Sequence, residues 1–139
     1  MPLDKEKKAK PFDKLGILMV DDLIEVRSML RAMLQDMGIT QIFEAGDGKQ
    51  AMYFMGHAGD MIDLVLCDWN MPAMTGIDLL KQIRSVDPEM PFLMVTGRND
   101  MDSVVSARAA GVSGYILKPF SPKQIEAKLR IAIARKMAS

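Results

Sequence analysis

In this chain of 139 residues, two adjacent carboxylates (Asp21-Asp22), a third at Asp68, a hydroxyl at Thr96 and an ammonium at Lys118 each close a short apolar run. Carboxylates that converge repel. At roughly 4 Å and an effective dielectric of 20 a pair costs about 4 kcal/mol, and a third charge adds more. A divalent hard cation resolves that repulsion: Mg2+ takes oxygen ligands octahedrally and is typically held by one or two carboxylates plus a phosphate oxygen. An acidic pocket beside a lysine and a hydroxyl therefore points to phosphoryl chemistry, with in-line attack by a carboxylate and donors around the equatorial oxygens. On that reading Asp68 is the nucleophile, Asp21 and Asp22 hold the metal, and Lys118 and Thr96 contact the transferring group. The product is an aspartyl phosphate. Each residue alone has an ordinary explanation: a helix cap at Asp21 or Asp22, a turn at Asp68, a loop start at Thr96-Gly97, a strand exit at Lys118-Pro119. Only their convergence asks for a ligand.

The elements that must position them follow from periodicity. Gly16-Ile17-Leu18-Met19-Val20 is a continuous apolar run, as for a strand buried on both faces. Val26, Met29, Leu30, Met33, Leu34 and Met37 then fall at helical spacing, and Gly38 supplies a stop. Further strands are predicted over 42–45, 63–68, 91–96 and 112–117, and a last helix carries Ile125, Leu129, Ala132 and Ile133 behind a Ser121-Pro122 start. Five strands alternating with five helices predict an α/β fold, a doubly wound parallel sheet with right-handed crossovers and helices on both faces. In such a sheet ligands sit beyond the carboxyl ends of the strands, where the charged residues above lie. A chain this long makes one domain, 15–139, preceded by a polar flexible tail over 1–14 whose run Asp4-Lys5-Glu6-Lys7-Lys8 cannot be ordered by burial.

Composition removes several function classes. Eighteen basic residues balance eighteen acidic ones, so no overall positive field gathers nucleic acid. No apolar run of about 18 residues is present for membrane insertion. The single cysteine, Cys67, cannot form an internal disulfide, which fits a reducing cytoplasm, and it is expected to be a buried, inert thiol. The sole histidine, His57, falls near the end of the second helix, away from the strand ends. Trp69, beside the acceptor, is expected to be partly exposed.

The string Asp68-Trp69-Asn70-Met71-Pro72, followed by Met74, Gly76 and Leu79-Leu80, resembles the receiver domain of two-component response regulators in its stand-alone chemotaxis form. Val20-Asp21-Asp22, Val95-Thr96-Gly97 and Gly114-Tyr115-Ile116-Leu117-Lys118-Pro119-Phe120 extend the likeness over about residues 15 to 137. It implies the strand order 2-1-3-4-5 known for that family. It also implies that Asp68 is phosphorylated by a sensor histidine kinase or phosphotransfer protein. Mg2+ is then held by Asp21, Asp22 and Asp68 with the main-chain carbonyl of Asn70. Thr96, Gly97, Tyr115 and Lys118 form the phosphate-contact and switch set, and Lys118-Pro119 is a cis-peptide candidate. The downstream protein effector, a motor switch component or another signalling protein, docks on helix four, strand five and helix five, at Val104, Tyr115 and Ile131. Chemotaxis or motility is the nearest analogy for the output, and no output domain is expected after residue 139.

One departure is the basic Arg98 in the loop after Thr96, expected either to be solvated or to alter phosphate lifetime. In the fourth helix Val105, Ala109 and Val112 are read as the inward face, leaving Val104 outward. The last helix region is rich in Lys123, Lys128, Arg130, Arg135 and Lys136, suggesting an acidic or amphipathic partner peptide. Two other classes compete. An aspartate-nucleophile phosphatase would carry its nucleophile after the first strand with a second aspartate two residues on, where this chain has Asp68 after the third strand and Asn70. A flavodoxin-like cofactor module would want a hydroxyl- or glycine-rich loop where Asp21-Asp22 stand.

Overall fold

In the computed structural model, which describes residues 12–138, every central strand is an apolar run that buries both its faces. The strands are β1 (Gly16–Val20), β2 (Gln41–Ala45), β3 (Leu64–Asp68), β4 (Phe92–Thr96) and β5 (Gly114–Leu117). They form one parallel sheet in the order β2-β1-β3-β4-β5. All five residues of β1, β3 and β4 are buried, as expected for strands covered by helices on both sides. The edge strands β2 and β5 are half-buried, and β5 begins two residues after the predicted start at 112.

The helices are α1 (Ile24–Asp36), α2 (Gly48–Ala58), α3 (Gly76–Val86), α4 (Met101–Ala109) and α5 (Pro122–Ala138). Alternation along the strands assigns them to two layers. Ile17, Met19, Leu64, Leu66, Leu93 and Val95 meet Leu30 and Leu34 of α1 and Ile125, Leu129 and Ile133 of α5. Leu18, Val20, Val65, Cys67 and Met94 meet Ala51 of α2, Leu79, Leu80 and Ile83 of α3 and Ala107 of α4. Local chemistry sets the boundaries. Asp47, Thr75 and Asp100 cap α2, α3 and α4, and Thr75 and Asp78 form a reciprocal capping box. Gly38, at φ +94°, turns the chain out of α1.

Three expectations are corrected by packing. Met29, read as part of the buried stripe of α1, is 45% exposed: Leu30 and Leu34 are buried against the sheet and Val26, Met33 and Met37 pack beside them. In α4 the inward residues are Ser103 and Ala107; Val105 is 54% exposed and Ala109 is exposed, while Val104, expected outward, is half-buried. Of the tail expected at 1–14, residues 1–11 lie outside the described residues. Residues 12–14 form a 3-10 turn whose Phe12 packs on the α1 and α5 layer beneath Arg130, at 4.7 Å from guanidinium carbon to ring centre. Packed structure therefore begins no later than Phe12. No helix among the described residues is long and apolar enough to cross a membrane.

At the β2 edge, Arg27 and Arg31 of α1 converge on Glu44, at 3.0 and 2.6 Å. Burial pushes the Glu44 carboxyl up, but the hydrogen bonds from Arg31 and Arg27 outweigh it and hold the group below its ordinary value of 4.5. A depressed folded value contributes stability that is present above 4.5 and is lost as the pH falls through the folded value. Glu44→Gln is therefore expected to cost about 0.5–1 kcal/mol at pH 7. In denaturant titrations at successive pH values, the difference from wild type should close as the pH falls below 4.5 and through the lowered folded value.

Candidate functional site

The strands β1, β3, β4 and β5 end at one edge of the sheet, and the register shows why their last residues meet. Val20 pairs with Cys67, Asp68 with Val95, and Thr96 with Leu117, so the residues that follow or end each strand stand side by side. Asp21, Asp22 and Asp68 each present a carboxylate oxygen within 4.8 Å of the others. Lys118 Nζ lies 3.3 Å from Asp68 Oδ1 and 3.8 Å from Asp21 Oδ2. Asp21 and Asp68 are buried and Asp22 is exposed, so the cluster runs from the core to the solvent.

Burial pushes the Asp21 carboxyl above its ordinary value, against the hydrogen bond it accepts from the Leu23 amide and the attraction of Lys118; the Asp68 charge adds to the rise. One lysine does not balance three carboxylates. The donors are all hard oxygens and the charge is in excess, so the residues present fit a small divalent cation. Asp21 is held at its amide by the Ala45 carbonyl and at its own carbonyl by Arg27 Nη1. Cys67 is buried one residue before Asp68, and burial, followed by the Asp68 and Asp21 charges, pushes its thiol far up. It stays protonated, as its apolar surroundings suggested.

Thr96 is fully buried, and its hydroxyl accepts the Arg98 amide at 3.1 Å. The Tyr115 hydroxyl donates to the Arg98 carbonyl at 2.7 Å. Burial and the nearby Asp100 charge hold the Tyr115 phenol above its ordinary value. Gly97 is exposed beside Thr96, and the Lys118-Pro119 bond is cis. Asn70 is exposed in the loop after β3, its side-chain oxygen taken by Arg98 at 3.0 and 3.3 Å. Arg98 also lies over Trp69, 5.0 Å from guanidinium carbon to ring centre.

That stack corrects two expectations. Trp69 is buried, at 8% exposure, rather than partly exposed, because Arg98 covers one face and Tyr115 meets it edge-on at 6.4 Å between ring centres. Arg98, although exposed, is not merely solvated: it bridges the loops after β3 and β4. Of the residues read as an effector face, Ile131 is 48% exposed, Tyr115 is half-buried, and Val104 lines a groove of about 410 Å3 with Arg108, Val112, Tyr115 and Lys128. His57 stacks on Tyr53 at 4.0 Å, remote from the strand ends.

The sequence reading missed Arg27, which reaches the Asp21 carbonyl from α1. No local signal marked it, since its placement depends on Glu44 of β2, 17 positions away.

Comparison with known proteins agrees with the geometry. The family model described as the response regulator receiver domain matches residues 17–130. Chemotaxis protein CheY of Pseudomonas aeruginosa is 41% identical over 117 residues, covering 83% of this chain and 93% of that protein. A receiver domain protein from Clostridium thermocellum superposes with a TM-score of 0.84 at 26% identity, covering 89% of this chain and 98% of that one. A chain of the CheX-CheY-BeF3-Mg2+ complex from Borrelia burgdorferi superposes with a TM-score of 0.79 at 25% identity, covering 83% of this chain and 86% of that one. With its strand order, its acidic strand ends and these relatives in agreement, the chain belongs to the response regulator receiver domain family, a family of signalling proteins rather than metabolic enzymes.

Proposed function

We propose that this chain is a phosphoacceptor switch in which Asp68 takes a phosphoryl group from a histidine kinase or phosphotransfer protein. An Asp68 carboxylate oxygen attacks the phosphorus of a phosphohistidine in line. The P–O bond forms as the P–N bond breaks, and the imidazole leaves with the electron pair and takes a proton from solvent. Asp21, Asp22 and Asp68, with the Asn70 carbonyl, would hold Mg2+, which supplies charge neutralisation for the incoming group. Lys118 steadies the phosphoryl oxygens, and Thr96 and Gly97 offer further donors. Slow hydrolysis of the acyl phosphate resets the switch.

The observation that carries this reading is the approach of three carboxylates within 4.8 Å, with the Lys118 ammonium 3.3 Å from Asp68. A CheY relative that forms a complex with Mg2+ and BeF3 supports the same kind of occupants. A phosphoryl group shifts a conformational equilibrium only as far as it interacts differently with the two states. Here the Thr96 hydroxyl faces the Arg98 amide before modification, so its recruitment by the phosphoryl group releases the Arg98 loop and the Tyr115 bonded to it. The effector then docks on α4, β5 and α5 around Val104, Tyr115 and Ile131, and chemotaxis or motility is the output class its relatives favour.

Intact-mass measurement after incubation with a small phosphodonor tests this. One added phosphoryl group is expected with Mg2+ and none with a chelator present. Addition that ignores the metal, or no addition in its presence, would overturn the reading.

A further inference from the structure

Arg27 occupies a position that local energetics oppose. It lies in the second turn from the N-terminal end of α1, its amide bonded to the Leu23 carbonyl. Arg31, four residues on, places a second cation on the same face, and like charges at that spacing are mutually unfavourable. That cost is offset by one acid from a different element, Glu44 of β2, whose two oxygens receive Arg27 Nε at 3.0 Å and Arg31 Nε at 2.6 Å. The Arg27 side chain is only 15% exposed.

What this arrangement achieves is read from the remaining nitrogen. With Nε fixed by Glu44, Arg27 Nη1 is aimed at the main-chain carbonyl of Asp21, 2.5 Å away. Asp21 thus has three fixed points: its amide on the Ala45 carbonyl, its carbonyl on Arg27, and its side-chain Oδ1 on the Leu23 amide. Its other oxygen, Oδ2, faces Lys118 across the acidic cluster. The peptide that carries this carbonyl is also the one that begins Asp22, so Arg27 sets the orientation of both acids from behind.

We propose that Arg27, aligned by Glu44, is a positioning residue for the Asp21-Asp22 metal-binding turn, acting through the Asp21 carbonyl rather than by touching the cation. The proposal rests on the metal-site reading given above. Groups that orient metal ligands typically govern affinity as well as fold stability, with effects of about 10–100-fold when removed. Arg31 is the internal control, because it shares Glu44 and bonds the Ile42 carbonyl but has no bond to Asp21.

Calorimetric titration of the whole chain with MgCl2 separates the possibilities, with thermal unfolding of each variant recorded without metal. Arg27→Gln is expected to weaken Mg2+ binding by about tenfold, Arg27→Lys to recover part of that loss, and Glu44→Gln to lie between them. Arg31→Gln should lower the unfolding temperature but keep the wild-type affinity. Should Arg27→Gln fail to fold, the comparison of Arg27→Lys with Arg31→Gln carries the same test. A variant set that loses stability in step while every Mg2+ affinity stays at the wild-type value would overturn the positioning role and leave the metal site standing. Wild-type protein that takes up no Mg2+ would instead overturn the metal-site reading, and this proposal with it.

Discussion

Asp68→Asn protein is expected to keep its unmodified mass in phosphodonor and Mg2+, under conditions in which the wild-type chain gains one phosphoryl group. An amide oxygen of the same shape carries no anionic electron pair for attack, so the acceptor rate should fall by at least about a thousandfold. Neighbouring carboxylates do not replace it. Asp21 is 3% exposed with one oxygen committed to the Leu23 amide, and Asp22 has no bond to Lys118, the cation beside Asp68. The fold should survive, because the exchange removes one of three mutually repelling charges while keeping the volume. Unfolding stability equal to or above wild type, together with loss of modification, is the expected pair of results. A mutant modified at the wild-type rate would place the acceptor elsewhere and end this account of the site.

The parts of this architecture legible in the sequence are those with a single physical cause. A strand buried on both faces has to be apolar throughout and has to stop where a charge appears. The runs read over 16–20, 63–68 and 91–96 therefore announced the central strands Gly16–Val20, Leu64–Asp68 and Phe92–Thr96 and the residues at their ends, with two starts one residue early. One helix start was legible as well: Ser121 ahead of Pro122 is a cap whose hydroxyl does accept the Gln124 amide, at 3.2 Å.

The parts that were not legible depend on choices between neighbours of similar chemistry. In α4, Val104 and Val105 are adjacent, so apolar periodicity does not say which side faces the sheet. The side that packs closest is the one with small residues, Ser103 and Ala107, and the Ser103 hydroxyl is satisfied locally by Asp100 at 2.9 Å. Nothing in the spacing of Trp69 and Arg98, 29 positions apart, showed that a guanidinium would cover the indole. Arg27 was hidden likewise, since its meaning arises from Glu44 on another element. Long-range polar pairs are set by the assembled sheet, after the local pattern has done its part.

Two glycines test whether stability and acceptor geometry can be separated. A Cβ on Gly16 would stand 1.6 Å from the Met61 carbonyl oxygen, and one on Gly76 would stand 2.4 Å from the Asp68 carbonyl oxygen and 2.9 Å from Met94 Sδ. Both obstacles include backbone, so neither is relieved by a rotamer change. Around Gly16 the Met61 turn cannot withdraw freely: the Gly16 amide donates to Asp63 Oδ2 at 2.8 Å and its carbonyl accepts the Asp63 amide at 2.7 Å, so retreat breaks this pair. Gly16→Ala is therefore expected to cost about 3 kcal/mol or more, at the upper end for overpacking. Gly76 opens α3, and its amide donates to the Trp69 carbonyl at 2.8 Å. Relief there requires either the first turn of α3 or the end of β3 to move, at about 2–3 kcal/mol. The two variants should then part company in function. Corrected for the folded fraction from denaturant titration, Gly16→Ala should accept phosphoryl groups at the wild-type rate, since its strain lies at the opposite end of the sheet. Gly76→Ala should be slower by about tenfold, because a shift of even 1 Å in the acceptor spoils in-line geometry. Equal rates per folded molecule in both variants would mean that α3 gives way and Asp68 does not, and the close approach of Gly76 would then serve packing alone.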